Sequence, residues 1–189
     1  MIVRLALLLL ALAGSGLVRA ADALPQDSVY HLDLALTDQR AASLRFADGR
    51  GQVRIVSMFY ANCPYVCPMI VETIKRTERE LEPAARERLR VLLVTLDPER
   101  DDPAALAKVA AQRKLDESRW TLARTAPDDV RKLAAILGIQ YRQLENREFN
   151  HSSALILLDA EGRVVARSST IGETDPEFVA AVRKALAGD

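Results

Sequence analysis

Alternating apolar and polar residues mark the beginning of the domain. Leu32, Leu34 and Leu36 are separated by polar or small residues, and this period of two predicts a half-buried strand. A second alternating piece lies at residues 43–46, and the segment 47–51 that follows contains two glycines typical of a turn. The pattern therefore predicts an N-terminal β-hairpin.

Two nearly continuous apolar runs, at residues 53–59 and 91–96, predict strands in the middle of a sheet, buried on both faces. Asp102 followed by Pro103 is a helix-start signal, because Asp caps a helix and Pro fits its first position. The other predicted elements are a turn at 84–89, helices at 68–81, 103–114, 128–137 and 176–186, strands at 120–123, 154–158 and 164–167, an extended segment at 139–143 and a polar loop at 144–150.

Strands and helices alternate in this order, and no repeat or interdomain linker interrupts them. Such an order predicts an α/β fold, with a mixed central sheet flanked by helices on both faces and an N-terminal β-hairpin. We expect residues 24–189 to form one domain, because a chain of this length can bury a sizeable core.

The first 20 residues have the anatomy of a secretory signal peptide. Arg4 precedes an unbroken apolar stretch at residues 5–13, and either residues 18–20 or residues 21–23, each ending in alanine, offer a cleavage site. The alternative is an uncleaved membrane anchor, but the apolar stretch is shorter than the roughly 20 residues that span a bilayer. No cysteine follows the stretch to carry a lipid. We therefore expect residues 1–20 to be removed and the protein to be exported, in a bacterium to the periplasm, without an integral membrane segment.

The charge balance gives no sign of nucleic-acid binding. The full chain has 26 Lys and Arg and 26 Asp and Glu, for a formal net charge of +0. Removal of Arg4 and Arg19 would leave 24 basic against 26 acidic residues, a net charge of −2. Basic and acidic residues are interspersed, as on an ordinary solvated surface.

Cys63 and Cys67 are the two cysteines of the chain, and they lie between the strand at 53–59 and the following helix. Residues four apart on a helix face the same side, so the two sulfurs could share a soft metal or, with a small adjustment, form a disulfide. A helix N-terminus favours the thiolate form of a cysteine. The alternative is two ordinary core cysteines. A disulfide this short would add little stability, so the pair is better suited to chemistry than to structure.

His151 lies just before the predicted strand 154–158. With a reactive cysteine pair at a strand–helix junction, a thioredoxin-like layout is the natural candidate, and there this segment abuts the junction. Cys63, Cys67 and His151 could thus converge as a soft site suited to copper, in which the cysteines suffice for Cu(I) and His151 is added for Cu(II). The alternative is a surface or capping histidine. We interpret His31 as an exposed residue of an early strand with no role.

Three motifs in this order resemble the Sco/SenC family of proteins for the synthesis of cytochrome c oxidase. The motifs are Cys63-Pro64-Tyr65-Val66-Cys67-Pro68, Leu96-Asp97-Pro98-Glu99-Arg100-Asp101-Asp102-Pro103, and His151-Ser152-Ser153 ahead of an apolar strand and Asp159-Ala160-Glu161-Gly162.

The resemblance implies a thioredoxin-like fold that binds one copper through Cys63, Cys67 and His151. It also implies that the protein delivers copper to the binuclear copper site of cytochrome c oxidase subunit II, or of another exported copper protein, or reduces the thiols of that site. Two departures stand out. Many members keep an N-terminal membrane helix, whereas we expect the N-terminal segment of this chain to be removed. The histidine is often preceded by Asp, where this chain has Asn150. The absent carboxylate could lower copper affinity.

Two other activities compete with copper binding. A thiol–disulfide oxidoreductase would use one cysteine to attack and the other to resolve, and would need a thiol reductant as partner, but the three-residue spacer departs from the usual C-x-x-C. A peroxidase ranks third, because relatives of that activity have Thr where this chain has Tyr60. The loop at 97–103 borders the site but is assigned no ligand, and Met58 and Met69 are interpreted as core fillers.

Overall fold

The computed structural model describes residues 23–62 and 66–188, without the side chains of Val66 and Cys67. The predicted signal peptide, residues 1–20, lies outside these ranges. The strands are β1 (Ala35–Asp38), β2 (Ser43–Arg45), β3 (Arg54–Phe59), β4 (Arg90–Thr95), β5 (Trp120–Arg124), β6 (Tyr141–Gln143), β7 (Phe149–His151), β8 (Leu155–Leu158) and β9 (Val164–Ser168). The α-helices are α1 (Val66–Arg79), α2 (Pro83–Arg88), α3 (Pro103–Gln112), α4 (Pro127–Ile136) and α5 (Pro176–Ala187).

Seven of these strands form one mixed sheet in the order β2-β1-β5-β4-β3-β8-β9. The central strands β3, β4 and β5 are parallel to one another, while β8 pairs antiparallel with β3 and β1 pairs antiparallel with β5. Every residue of β3 is buried, as expected for a strand covered on both faces.

Helices cover both faces of the sheet because successive side chains of β3 point to opposite sides. Ile55 and Phe59 pack on one side with apolar residues of α1, α3 and α5. Val56 and Met58 pack on the other side with α4 and the N-terminal segment. The predicted α/β architecture with a mixed sheet flanked by helices is confirmed.

The N-terminal hairpin is also confirmed, with Leu36 of β1 opposite Leu44 of β2. The strand begins later than predicted, because Val29–His31 forms a short 3₁₀ helix that the side chain of Ser28 caps. The placement of His31 on a strand was therefore wrong. Most of the turn predicted at residues 84–89 lies instead in the short helix α2, which spans Pro83–Arg88.

The polar loop predicted at residues 144–150 is partly a strand. Its last two residues belong to β7, which pairs antiparallel with β6 in a separate two-stranded sheet, Tyr141 opposite His151 and Gln143 opposite Phe149. We refer to residues 141–151 as the histidine hairpin. His151 therefore lies at the end of a short strand rather than in an open loop.

Candidate functional site

The cysteine motif begins where β3 ends and runs into α1. Cys63 lies outside the described residues, and Cys67 is the second residue of α1, with its side chain also outside the description. The first turn of α1 contains no acidic residue. Since N–H groups at a helix N-terminus stabilise negative charge, this position is compatible with the expected thiolate, which stays a prediction.

The residue that leaves β3, Tyr60, is buried and contacts the histidine hairpin. Its ring meets the ring of His151 edge to face, with 6.1 Å between centroids. His151 is half-buried, and its Nδ1 lies 3.3 Å from the carbonyl oxygen of Ser152. The histidine predicted as a ligand is thus held against a residue three positions before Cys63. Whether its ring reaches the two sulfurs stays a prediction.

His31 lies in a different part of the molecule. Its Nε2 is 2.8 Å from the carbonyl oxygen of Pro25, and the contact is exposed to solvent. The two histidines are therefore distinguished by their surroundings, since the ring of His151 meets that of Tyr60 and the ring of His31 lies at the carbonyl oxygen of Pro25.

Tyr60 makes two further contacts with the same hairpin. Its hydroxyl donates a hydrogen bond of 2.7 Å to Oε2 of Glu148, and its ring lies 5.3 Å from that of Phe149. Phe149 and His151 are two residues apart on β7, so both face the same side of the strand and both reach Tyr60.

The loop after β4 supports the beginning of the cysteine motif. Oδ2 of Asp101 accepts a hydrogen bond of 2.8 Å from the backbone N–H of Ala61 and another from the hydroxyl of Thr95. Asp101 is 1% exposed, and its burial raises the pKa of the carboxyl group. The loop thus lies beside the beginning of the cysteine motif, as its position after a parallel strand suggested. It supports the motif through the hydrogen bond from the backbone of Ala61 to Asp101.

The same loop also holds the histidine hairpin. Arg100 pairs through Nε with the carboxylate of Asp97, and its Nη2 donates a hydrogen bond of 2.6 Å to the carbonyl oxygen of Arg147 at the hairpin tip. Three segments that are distant in sequence are therefore joined side by side: the end of β3, the loop after β4 and the histidine hairpin.

Sequence reasoning missed Tyr60, Glu148, Asp101 and Arg100 as supports of the site. The acidic loop at 97–102 was a signal for Asp101, but Tyr60 and Glu148 are 88 positions apart and share no motif. Met58 is buried, as expected of a core residue, whereas Met69 is 43% exposed beside the cysteine motif, so its interpretation as a core filler was wrong.

The described residues contain no cluster of three or more His, Cys, Asp or Glu side chains that could hold a metal. The predicted donor set is not among them as a whole, since it needs the sulfurs of Cys63 and Cys67. Two thiolates and an imidazole remain a chemically suitable set for copper. No helix in the described ranges is long and apolar enough to cross a bilayer.

A family model for SCO1/SenC matches residues 23–187, which is most of the chain. The chain belongs to the SCO1/SenC family. This match confirms the resemblance drawn from the three sequence motifs. Mouse SCO2 homolog, a mitochondrial protein, is 35% identical over 88 residues, covering 46% of this chain and 34% of the mouse protein. The match thus spans about a third of that relative's length.

Solved structures of Sco proteins share the fold. ScoI of Bradyrhizobium japonicum with copper bound superposes with a TM-score of 0.68 at 20% identity, over 81% of this chain and 97% of that one. BsSco, described as a member of the Sco family of cytochrome c oxidase assembly proteins with a disulfide switch, superposes with a TM-score of 0.72 at 20% identity, over 87% and 97%. These SCO1/SenC structures confirm the predicted thioredoxin-like fold.

Proposed function

We propose that this protein is a copper chaperone that binds one copper ion through Cys63, Cys67 and His151 for assembly of the binuclear copper site of cytochrome c oxidase. The observation that carries the proposal is the contact between His151 and Tyr60, because it holds an imidazole beside the segment that leads into Cys63. Family membership supports it, as does the copper bound to the relative from B. japonicum.

Each proposed ligand has a distinct role. The two thiolates suit Cu(I), a soft ion that accepts low coordination numbers, and the imidazole adds the donor that Cu(II) prefers. Copper binds the thiolate forms of the two cysteines, and the position of Cys67 in the first turn of α1 would help to stabilise that form. The target would be subunit II of cytochrome c oxidase or another exported copper protein, which the chain would meet after export and removal of residues 1–20.

The experiment is copper binding by the reduced protein from residue 21 onward, measured by metal analysis and absorption spectroscopy. We expect one copper per chain and thiolate-to-copper charge-transfer bands with Cu(II). Cys63→Ser and Cys67→Ser should each abolish retention, whereas His151→Ala should change the Cu(II) spectrum and spare Cu(I). His31→Ala is the matched control and should behave as the parent protein. Stoichiometric copper in either serine variant would refute the ligand set.

A second candidate is a thiol–disulfide oxidoreductase, favoured by the disulfide switch of BsSco. One thiolate of the pair would attack a disulfide of the target and form a mixed disulfide. The other would then displace the target, which leaves with two reduced thiols, while Cys63 and Cys67 become a disulfide that a thiol reductant must reduce again. A rapidly cycled disulfide without copper retention would favour this activity over the first.

A further inference from the structure

The histidine hairpin is not part of the seven-stranded sheet. Its base is closed by hydrogen bonds between the two residues that flank it, from Ser152 N–H to the Gln140 carbonyl (2.8 Å) and from Gln140 N–H to the Ser152 hydroxyl (2.9 Å). Main-chain pairing with β3 or β4 therefore does not fix the place of His151. Besides the continuation of the chain through Ala154, whose carbonyl oxygen accepts a hydrogen bond of 2.7 Å from the hydroxyl of Ser57 in β3, side-chain contacts to neighbouring segments hold His151 in place.

Tyr60 provides three such contacts from one position. Its hydroxyl bonds to Glu148, and its ring meets the rings of Phe149 and His151. Tyr60 is itself immobilised, since it is 4% exposed and follows directly on the buried strand β3. The hairpin is thus attached to the segment that carries Cys63, and not to the opposite end of the domain.

We propose that the hydrogen bond between Tyr60 and Glu148 positions His151 for Cu(II) and thereby sets the preference of the site between the two oxidation states of copper. The inference rests on the proposed function. Tyr60 and Glu148 are positioning residues, because they act on the metal through the placement of the imidazole.

The binding of Cu(I) and that of Cu(II) should respond differently to loss of this hydrogen bond, because the two ions prefer different donors. Two thiolates near one helix N-terminus bind Cu(I) without help from the hairpin. Cu(II) binding gains from the imidazole, and a hairpin freed from Tyr60 would spend part of its time with His151 away from the sulfurs. Loss of the hydrogen bond should therefore weaken Cu(II) and leave Cu(I) unchanged.

The test compares Tyr60→Phe, Glu148→Met, which has a similar length but no oxygen to accept the bond, and the double variant. Tyr60→Phe removes the hydroxyl and keeps the ring that packs on Phe149 and His151. We expect each single variant to lower Cu(II) affinity about 10-fold, as is usual for residues that orient a metal ligand. The double variant should lose no more than Tyr60→Phe, because both changes break the same bond. Glu145→Gln, an exposed carboxylate of the same hairpin, is the charge-matched control and should have no effect.

Cu(I) affinity, measured by competition with a Cu(I) chelator, should stay within about 2-fold of the parent protein. A 10-fold loss confined to Cu(II) raises the one-electron potential of the bound copper by about 59 mV. Equal losses for Cu(I) and Cu(II), or an unchanged Cu(II) affinity in Tyr60→Phe, would overturn the proposal while leaving copper binding intact.

A metal-free measurement separates this inference from the proposed function. In the NMR spectrum of the reduced apoprotein, Tyr60→Phe and Glu148→Met should shift the ring signals of His151 and leave those of His31 in place. If the parent protein binds no copper, the proposed function fails, and the inference about copper preference fails with it. If copper binds but the His151 signals do not move in either variant, the positioning role alone is refuted.

Discussion

Asp101 shows how a single buried carboxylate supports the site. Oδ2 accepts two hydrogen bonds, from Ala61 and Thr95, while Oδ1 is buried without a hydrogen-bond partner in the described part of the chain. A buried charge with one unsolvated oxygen is costly, and desolvation accordingly raises the pKa of Asp101 above its ordinary value of 3.8. Despite this cost, the side chain holds the backbone N–H of Ala61, two residues before Cys63.

The raised pKa predicts the sign of a pH effect on stability. Since the folded protein binds the Asp101 proton more tightly than the unfolded chain, this stabilising contribution is complete below pH 3.8 and is lost as the pH rises through the folded-state pKa. Asp101→Asn keeps an acceptor oxygen but cannot ionise. We expect the free energy of unfolding of the variant to improve relative to the parent as the pH rises from about 4 to 7. Urea unfolding at several pH values measures the difference, and a difference independent of pH would contradict the prediction.

For single residues, the sequence indicated which side chains could bind a metal. It did not indicate which residues distant in sequence would contact each other. Cys63, Cys67 and His151 could be chosen because few residue types bind soft metals and the chain has only two cysteines and two histidines. The bond from Tyr60 to Glu148 could not be predicted, since it depends on how a two-stranded hairpin lies against the end of β3.

Among the elements, α5 begins where its local sequence, an Asp followed by a Pro, predicts the start of a helix. Asp175 precedes Pro176, and its Oδ1 accepts hydrogen bonds from the N–H groups of Glu177 (3.0 Å) and Phe178 (3.1 Å). Oδ2 accepts a bond of 2.6 Å from the hydroxyl of Ser168 in β9. The cap therefore starts the helix and also attaches it to the edge of the sheet.

We expect Asp175→Ala to lower the free energy of unfolding by about 1–2 kcal/mol at neutral pH, because it removes a helix cap and a contact to β9. The hydrogen bond from Ser168 lowers the pKa of Asp175, so this stabilisation is present above its ordinary pKa of 3.8 and is lost as the pH falls through the lower folded-state value. Urea unfolding checks both statements. Glu173→Ala, an exposed acidic residue two positions earlier, is the control; an equal loss in that variant would show that the cap has no special role.

Long apolar runs and capped helices were predictable because each has a local physical cause. β3 and β4 coincide with the two nearly continuous apolar runs, and α3 begins at the Asp102–Pro103 signal. The short elements were harder: α2 has no buried residue to give an apolar periodicity, and β7 has only three residues. The conformation of such short elements is determined by contacts with neighbouring elements rather than by their own sequence pattern.

In the whole molecule, the large seven-stranded sheet and the small histidine hairpin both contribute to the candidate site. The two parts differ in the contacts that stabilise them. The two hydrophobic cores lie on opposite faces of the same central strands, which favours cooperative unfolding of the sheet. Within the described residues, the histidine hairpin is attached through Tyr60, through Arg100 and through the packing of its own Tyr141 and Phe149 on the cores, and its tip is exposed. Elements with few buried contacts open at a lower free energy than the core around them.

We therefore expect native-state hydrogen exchange to separate the two parts. The N–H groups of Leu144 and Ser152, both hydrogen-bonded within the hairpin segment, should exchange by local opening that hardly depends on urea at low concentration. The N–H groups of Val91 and Leu96, bonded to Arg119 and Phe59 across the central strands, should exchange only by global unfolding, with a steep dependence on urea.

The variants of the positioning pair extend this comparison, because they should act on one part alone. Tyr60→Phe should speed exchange at Leu144 and Ser152 by several-fold and leave Val91 and Leu96 unchanged, whereas Glu145→Gln should alter neither pair. Since a ligand that contacts only the closed hairpin stabilises that state, Cu(II) should slow exchange at Leu144 and Ser152 more than Cu(I) does. Equal urea dependence at all four amides would mean that the hairpin unfolds with the sheet, and His151 would then be as rigidly placed as the strands themselves.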